Sequence, residues 1–89
     1  MEEHRFTIRG EPVAWRYTRL RGTANGYAKF QPRRVLINEK LASRQRLEVE
    51  IHEALHQAFY DLDETVVLEV GRDISRILWR LGYRVGRRD

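Results

Sequence analysis

The stretch Ser43-Arg44-Gln45-Arg46-Leu47-Glu48-Val49-Glu50-Ile51-His52-Glu53-Ala54-Leu55-His56-Gln57-Ala58-Phe59 decides the fold, because Leu47, Ile51, Ala54, Leu55 and Ala58 recur in it at helical spacing. It predicts one amphipathic helix, with Ser43 as N-cap and the apolar stripe turned toward a sheet. His52 and His56 lie on the shoulder of that stripe, within the sequence H-E-x-x-H. Residues four apart share a helix face, so both imidazoles can reach one metal ion while Glu53 points to the side where a water would lie.

Upstream the pattern changes to period two. Phe6-Thr7-Ile8 reads as a strand over residues 5 to 9, closed by the break at Gly10-Glu11-Pro12. Val13, Trp15 and Tyr17 alternate with polar neighbours as a second, adjacent strand. Asn25-Gly26 favours a tight hairpin, with Tyr27 to Phe30 as its returning strand and Pro32 interrupting it. Arg34-Val35-Leu36-Ile37-Asn38 is more continuously apolar, which suits a strand covered on both faces.

Downstream, Asp61 followed by Glu64 resembles a capping box opening a second helix, and Val66, Val70, Ile74, Ile77, Leu78 and Leu81 form its apolar face. Gly82 is its natural stop, and residues 84 to 89 read as a loose polar tail. The expected fold is a single α+β domain over residues 1 to 89. Three or four strands in about 5–38 form an antiparallel or mixed sheet, and two packed helices follow at about 43–59 and 62–81.

Composition narrows the chemistry. With 89 residues the core is small, hiding about 60–65% of the surface of the unfolded chain. The chain has no cysteine, which excludes disulfides, thiol chemistry and zinc ribbons, so any metal must be held by His, Asp or Glu. No apolar run is long enough to span a membrane and the N-terminus lacks a signal pattern, so the expectation is a cytoplasmic protein without a membrane partner. The net charge of +4 comes from 17 basic and 13 acidic residues, the basic ones mostly arginine in Arg16 to Arg34 and Arg72 to Arg88. Such a surface can bind nucleic acid, but a small excess spread over a domain is more simply read as solubility.

A hydrolytic zinc site needs three protein ligands and one open position. If the helices form a hairpin about Asp61, residue 54, midway between the histidines, mirrors residue 68, which puts Glu69 level with the His pair as third ligand. Asp73 mirrors residue 49, where it can accept a hydrogen bond from the second ring nitrogen of His52 and fix its tautomer.

His52-Glu53-Ala54-Leu55-His56 followed by Glu69-Val70-Gly71-Arg72-Asp73 resembles the gluzincin branch of the zincin metallopeptidases, whose pattern is H-E-x-x-H and then E-x-x-x-D. The resemblance covers about residues 44 to 81. It implies a zincin-like fold and one Zn2+ per chain on His52, His56 and Glu69. It also implies that Glu53 is the general base, Asp73 orients His52, and a peptide or protein is the substrate. The chain departs from the larger members in having only twelve residues between His56 and Glu69. The expectation is also that it lacks their C-terminal domain, and no residue can be placed as stabiliser of the tetrahedral intermediate. Tyr17, Tyr27, Tyr60 and the arginines are candidates for that role.

The expected function is therefore zinc-dependent peptide-bond hydrolysis, with an extended peptide adding to a sheet edge near Ala24 to Phe30. The alternative is a non-enzymatic module, or a pseudoenzyme with a structural metal, whose arginine surface contacts nucleic acid or protein. Trp15, Tyr17, Phe59 and Trp79 read as core, His4 reads as part of a loose N-terminal end, and Asp61, Asp63 and Glu64 read as helix N-terminal charges rather than a calcium loop.

Overall fold

The alternating stretches form strands in the computed structural model, which describes residues 2–84. β1 (Glu2–Ile8), β2 (Glu11–Thr18), β3 (Gly26–Phe30) and β4 (Arg33–Asn38) make one mixed sheet in the order β1-β2-β4-β3. β1 and β2 are antiparallel and joined by Arg9 and Gly10, whose φ values of 50° and 82° give the two left-handed residues that a tight hairpin of this twist requires.

The second hairpin is not where Asn25-Gly26 suggests. β3 does not return along β2; it pairs antiparallel with β4 through the Gln31-Pro32 turn, and β4 lies parallel to β2. The most apolar strand thus takes an interior place in the sheet, with Val35 and Ile37 fully buried beside Val13 and Trp15. Gly26 adopts no left-handed turn conformation. It is required for closeness: a Cβ there would lie 2.9 Å from Val49 Cγ1 and 3.1 Å from both Glu53 Oε2 and the Leu36 carbonyl oxygen.

Helix α1 (Ser43–Ala58) covers the inner sheet face. Its N-cap is Ala42, without a side-chain cap bond, so Ser43 is the first helical residue and not the cap. The fully buried positions of α1 are polar, Glu53 and Gln57, and not the Leu/Ile stripe; Ala54 and Val49 pack on the core, whereas Leu55 faces the second helix. Gln57 can be buried because it is bonded: its Nε2 donates to the carbonyls of Lys29 at 2.8 Å and Arg34 at 3.1 Å.

Helix α2 (Glu64–Arg80) opens on Asp63, whose carboxylate accepts from the Thr65 amide at 3.0 Å, in place of the expected Asp61 box. It closes on Gly82 at φ 92°, with the Gly82 amide donating to the Trp79 carbonyl and the Tyr83 amide to that of Leu78, a Schellman stop. α2 rests on α1 alone and meets no strand among the described residues. Its contact stripe is Val67, Gly71 and Ser75, whereas Val66, Val70, Ile77 and Leu81, expected to face inward, are exposed. Size explains this: a Cβ at Gly71 would lie only 3.7 Å from the His52 Cα, so the helices approach where side chains are small.

Among the aromatics expected in the core, Trp15 is buried, but Phe59 is exposed under the Arg9 guanidinium, and Trp79 lies between those of Arg44 and Arg84. His4 has neighbours after all, stacking on Phe6 and meeting Tyr17 edge-on. Residues 85 to 89 of the expected loose tail lie outside the described residues. No described helix is long and apolar enough to cross a membrane.

Candidate metal centre

One turn of α1 brings His52 and His56 together, their Nε2 atoms 3.1 Å apart and their rings nearly perpendicular. The third group is Glu64, the first residue of α2. Its two carboxylate oxygens lie 2.8 Å from His56 Nε2 and 3.3 Å from His52 Nε2. These three residues are the described His, Asp and Glu side chains close enough to share an ion.

Glu69 and Asp73 are not brought to the histidines. Both are exposed, and Asp73 pairs with Arg76 at 3.3 Å. The mirror argument places the right level of α2 beside the His pair, since Gly71 abuts the His52 backbone. It neglects rotation about the helix axis: Glu69 is two residues from both Val67 and Gly71 and so points away from the stripe that contacts α1. Glu64 lies seven residues before Gly71 and shares that stripe. The signal for it was present in Gly71 and Ser75, small residues four apart that mark the contacting face.

These three side chains form a group that could hold a metal ion. Ligands about 2.0–2.2 Å from a tetrahedral centre are separated by roughly 3.3 Å. The two imidazole nitrogens are 3.1 Å apart, and the carboxylate meets His56 through one oxygen at 2.8 Å and His52 through the other at 3.3 Å. The histidines are mostly buried, whereas the Glu64 side chain is 65% exposed, which leaves one side of the group open to solvent.

Glu53 lies beside this group at only 7% exposure. Burial, and secondarily the charge of Glu64, push its carboxyl up to about 7. Gly26, Tyr27, Ala28 and Phe30 of β3 form the opposite wall of an open cleft of about 410 Å³ that reaches His52, Glu53, His56 and Glu64. Because β3 is a terminal strand of the sheet, this wall is also a strand edge without a sheet neighbour among the described residues.

Of the other candidate side chains, Tyr17 donates to Glu50, which also accepts from Arg46, and Tyr60 lies beside Phe30 and Arg33. Tyr27 is the tyrosine in the cleft wall. Several arginines are engaged within the fold: Arg16 with Glu3 at 2.9 Å, Arg33 with Gln57, and Arg9 with the Ala58 carbonyl. No protein-family model, curated protein or solved structure matches this chain.

Proposed function

We propose that the chain is a zinc-dependent peptidase in which His52, His56 and Glu64 hold the ion and Glu53 is the general base. The observation that carries this reading is the group of His52, His56 and Glu64 on adjoining helices, with the buried Glu53 carboxyl lining the same cleft. A zinc ion held there supplies Lewis-acid polarisation of a carbonyl and lowers the pKa of water toward about 7. Glu53, which lines the same cleft, is placed to take the proton of the attacking water and return it to the leaving amine. The outer edge of β3 can pair with an extended peptide and lay its scissile bond along the cleft, while Tyr27 can donate toward the developing oxyanion.

The test is the metal content of untagged protein. Wild type is expected to carry about one zinc per chain, Glu64→Ala to lose it, and Glu69→Ala to keep it. Retention by Glu64→Ala with loss by Glu69→Ala would overturn the ligand assignment. E53Q should keep zinc and lose peptide hydrolysis, and an E53Q variant with undiminished cleavage would remove Glu53 from its role.

A further inference from the structure

α2 is a helix with two faces of use, one of which the fold does not employ. Toward α1 it presents Val67, Gly71 and Ser75, and it has no other packing partner among the described residues. Beside that contact, about 100° round the helix, it presents Val66, Val70, Ile77 and Leu81, the last two 57% and 69% exposed. These four, with the partly buried Ile74 between them, make a continuous apolar stripe over nearly the whole helix. A stripe of this kind on a small domain is normally covered.

The charges beside the stripe identify what covers it. At 3.6 residues per turn, Glu69, Asp73, Arg76 and Arg80 all fall within roughly a 60° arc on one flank. The acidic pair occupies the N-terminal half and the basic pair the C-terminal half. The flank is therefore complementary to itself when reversed. We infer that a second copy of this chain docks on the exposed face, α2 against α2, antiparallel about a two-fold axis between Asp73 and Ile74.

That register sets Val66 opposite Leu81 and Val70 opposite Ile77 of the other copy, with Ile74 beside the axis. In an antiparallel pair like flanks meet, so Glu69 faces Arg80 and Asp73 faces Arg76 across the interface, each pair offset by about 3 Å along the axis, within the reach of an arginine. The contact is isologous and closes at two copies. Glu64 lies on the α1-facing stripe of α2 with Gly71 and Ser75, so the pairing leaves the cleft beside β3 open. The inference does not depend on the metal-centre reading.

The experiment is sedimentation equilibrium of the full chain from micromolar to submillimolar concentration at low and moderate salt. Wild type is expected to approach twice the chain mass of 10.7 kDa. Ile77→Glu, an exposed position, is expected to weaken association by about tenfold or more while leaving the circular dichroism spectrum unchanged. The double variants Glu69→Arg with Asp73→Arg, and Arg76→Glu with Arg80→Glu, each make the flank uniform in sign and should be monomeric alone. Mixed in equal amounts they should restore the dimer, and added salt should weaken it. A wild-type mass of one chain at every concentration would overturn the proposal, as would a dimer indifferent to Ile77→Glu. A mixture of the charge variants that stays monomeric would overturn the antiparallel register.

Discussion

The two helices divide their residues in opposite ways. α1 buries polar groups against the sheet, Glu53 and Gln57, and α2 leaves Val66, Val70, Ile77 and Leu81 in solvent while burying Val67, Gly71 and Ser75. Hydrophobicity alone would have placed each helix the other way round. What fixes α1 is that its polar groups have work to do at the sheet, with Gln57 satisfying two strand carbonyls and Glu53 reaching the cleft. What fixes α2 is its close approach to α1, which only small residues allow and which sets Glu64 beside His52 and His56.

Substitution can separate these two logics. The largest effect is expected for Gln57→Leu, which keeps the volume and removes the donor to the Lys29 and Arg34 carbonyls. Losing these two part-buried bonds should cost about 2–4 kcal/mol, measured by urea unfolding. If the loss is below 0.5 kcal/mol on the order-of-magnitude scale of surface changes, the polar burial on α1 is not structural.

Glu53 tests the same burial through pH. Its carboxyl is raised from 4.5 to about 7 in the folded chain, so the folded state holds its proton more tightly than the unfolded state. Stability from this group is fully present below the unfolded value and is lost as pH rises through about 7. In the metal-free protein, stability should fall between these limits by an amount on the order of 2–3 kcal/mol, and E53Q should flatten the slope. A metal-free wild type as stable at pH 8 as at pH 5, by thermal unfolding in chelator, would contradict a desolvated Glu53.

The smallest effect belongs to α2. Gly71→Ala places a methyl at ordinary contact distance from His52 and Leu55 and gains helix propensity, so it should stabilise by about 0.5–1 kcal/mol. Gly71→Leu, by contrast, should cost about 1–3 kcal/mol by forcing the helices apart. It should also reduce zinc uptake, because Glu64 moves with α2. Uptake unchanged in a folded Gly71→Leu chain would show that helix spacing does not set the donor group.

Much of this was readable in the sequence where pattern and structure share a period. Val13, Trp15 and Tyr17 alternate and form a strand; His52 and His56 are four apart and converge; Gly82 follows the last helical turn and stops it. Legibility ended where a choice between partners was required. Nothing in Asn25-Gly26 tells that β4 will insert between β2 and β3, because that choice is made by burial of Val35 and Ile37 and not by a turn. Likewise the stripe of large apolar residues on α2 outweighed Gly71 and Ser75 in a reading based on hydrophobicity, and with it went the rotation that separates Glu64 from Glu69. An exposed glutamate at a helix start is ordinarily a dipole partner, so Glu64 carried two readings and the commoner one hid the other.

The short link between the helices has a consequence for how the chain assembles. His52, His56 and Glu64 all lie within one α-hairpin closed by Phe59 to Asp63, whereas the parallel pairing of β2 with β4 must join segments separated by the whole of β3. Loops of about ten residues close in roughly 10–100 ns, long before non-local strands find their register. His52, His56 and Glu64 are thus neighbours in sequence as well as in space, and an ion held by them would act as a clasp on the hairpin alone, without cross-linking the distant strands.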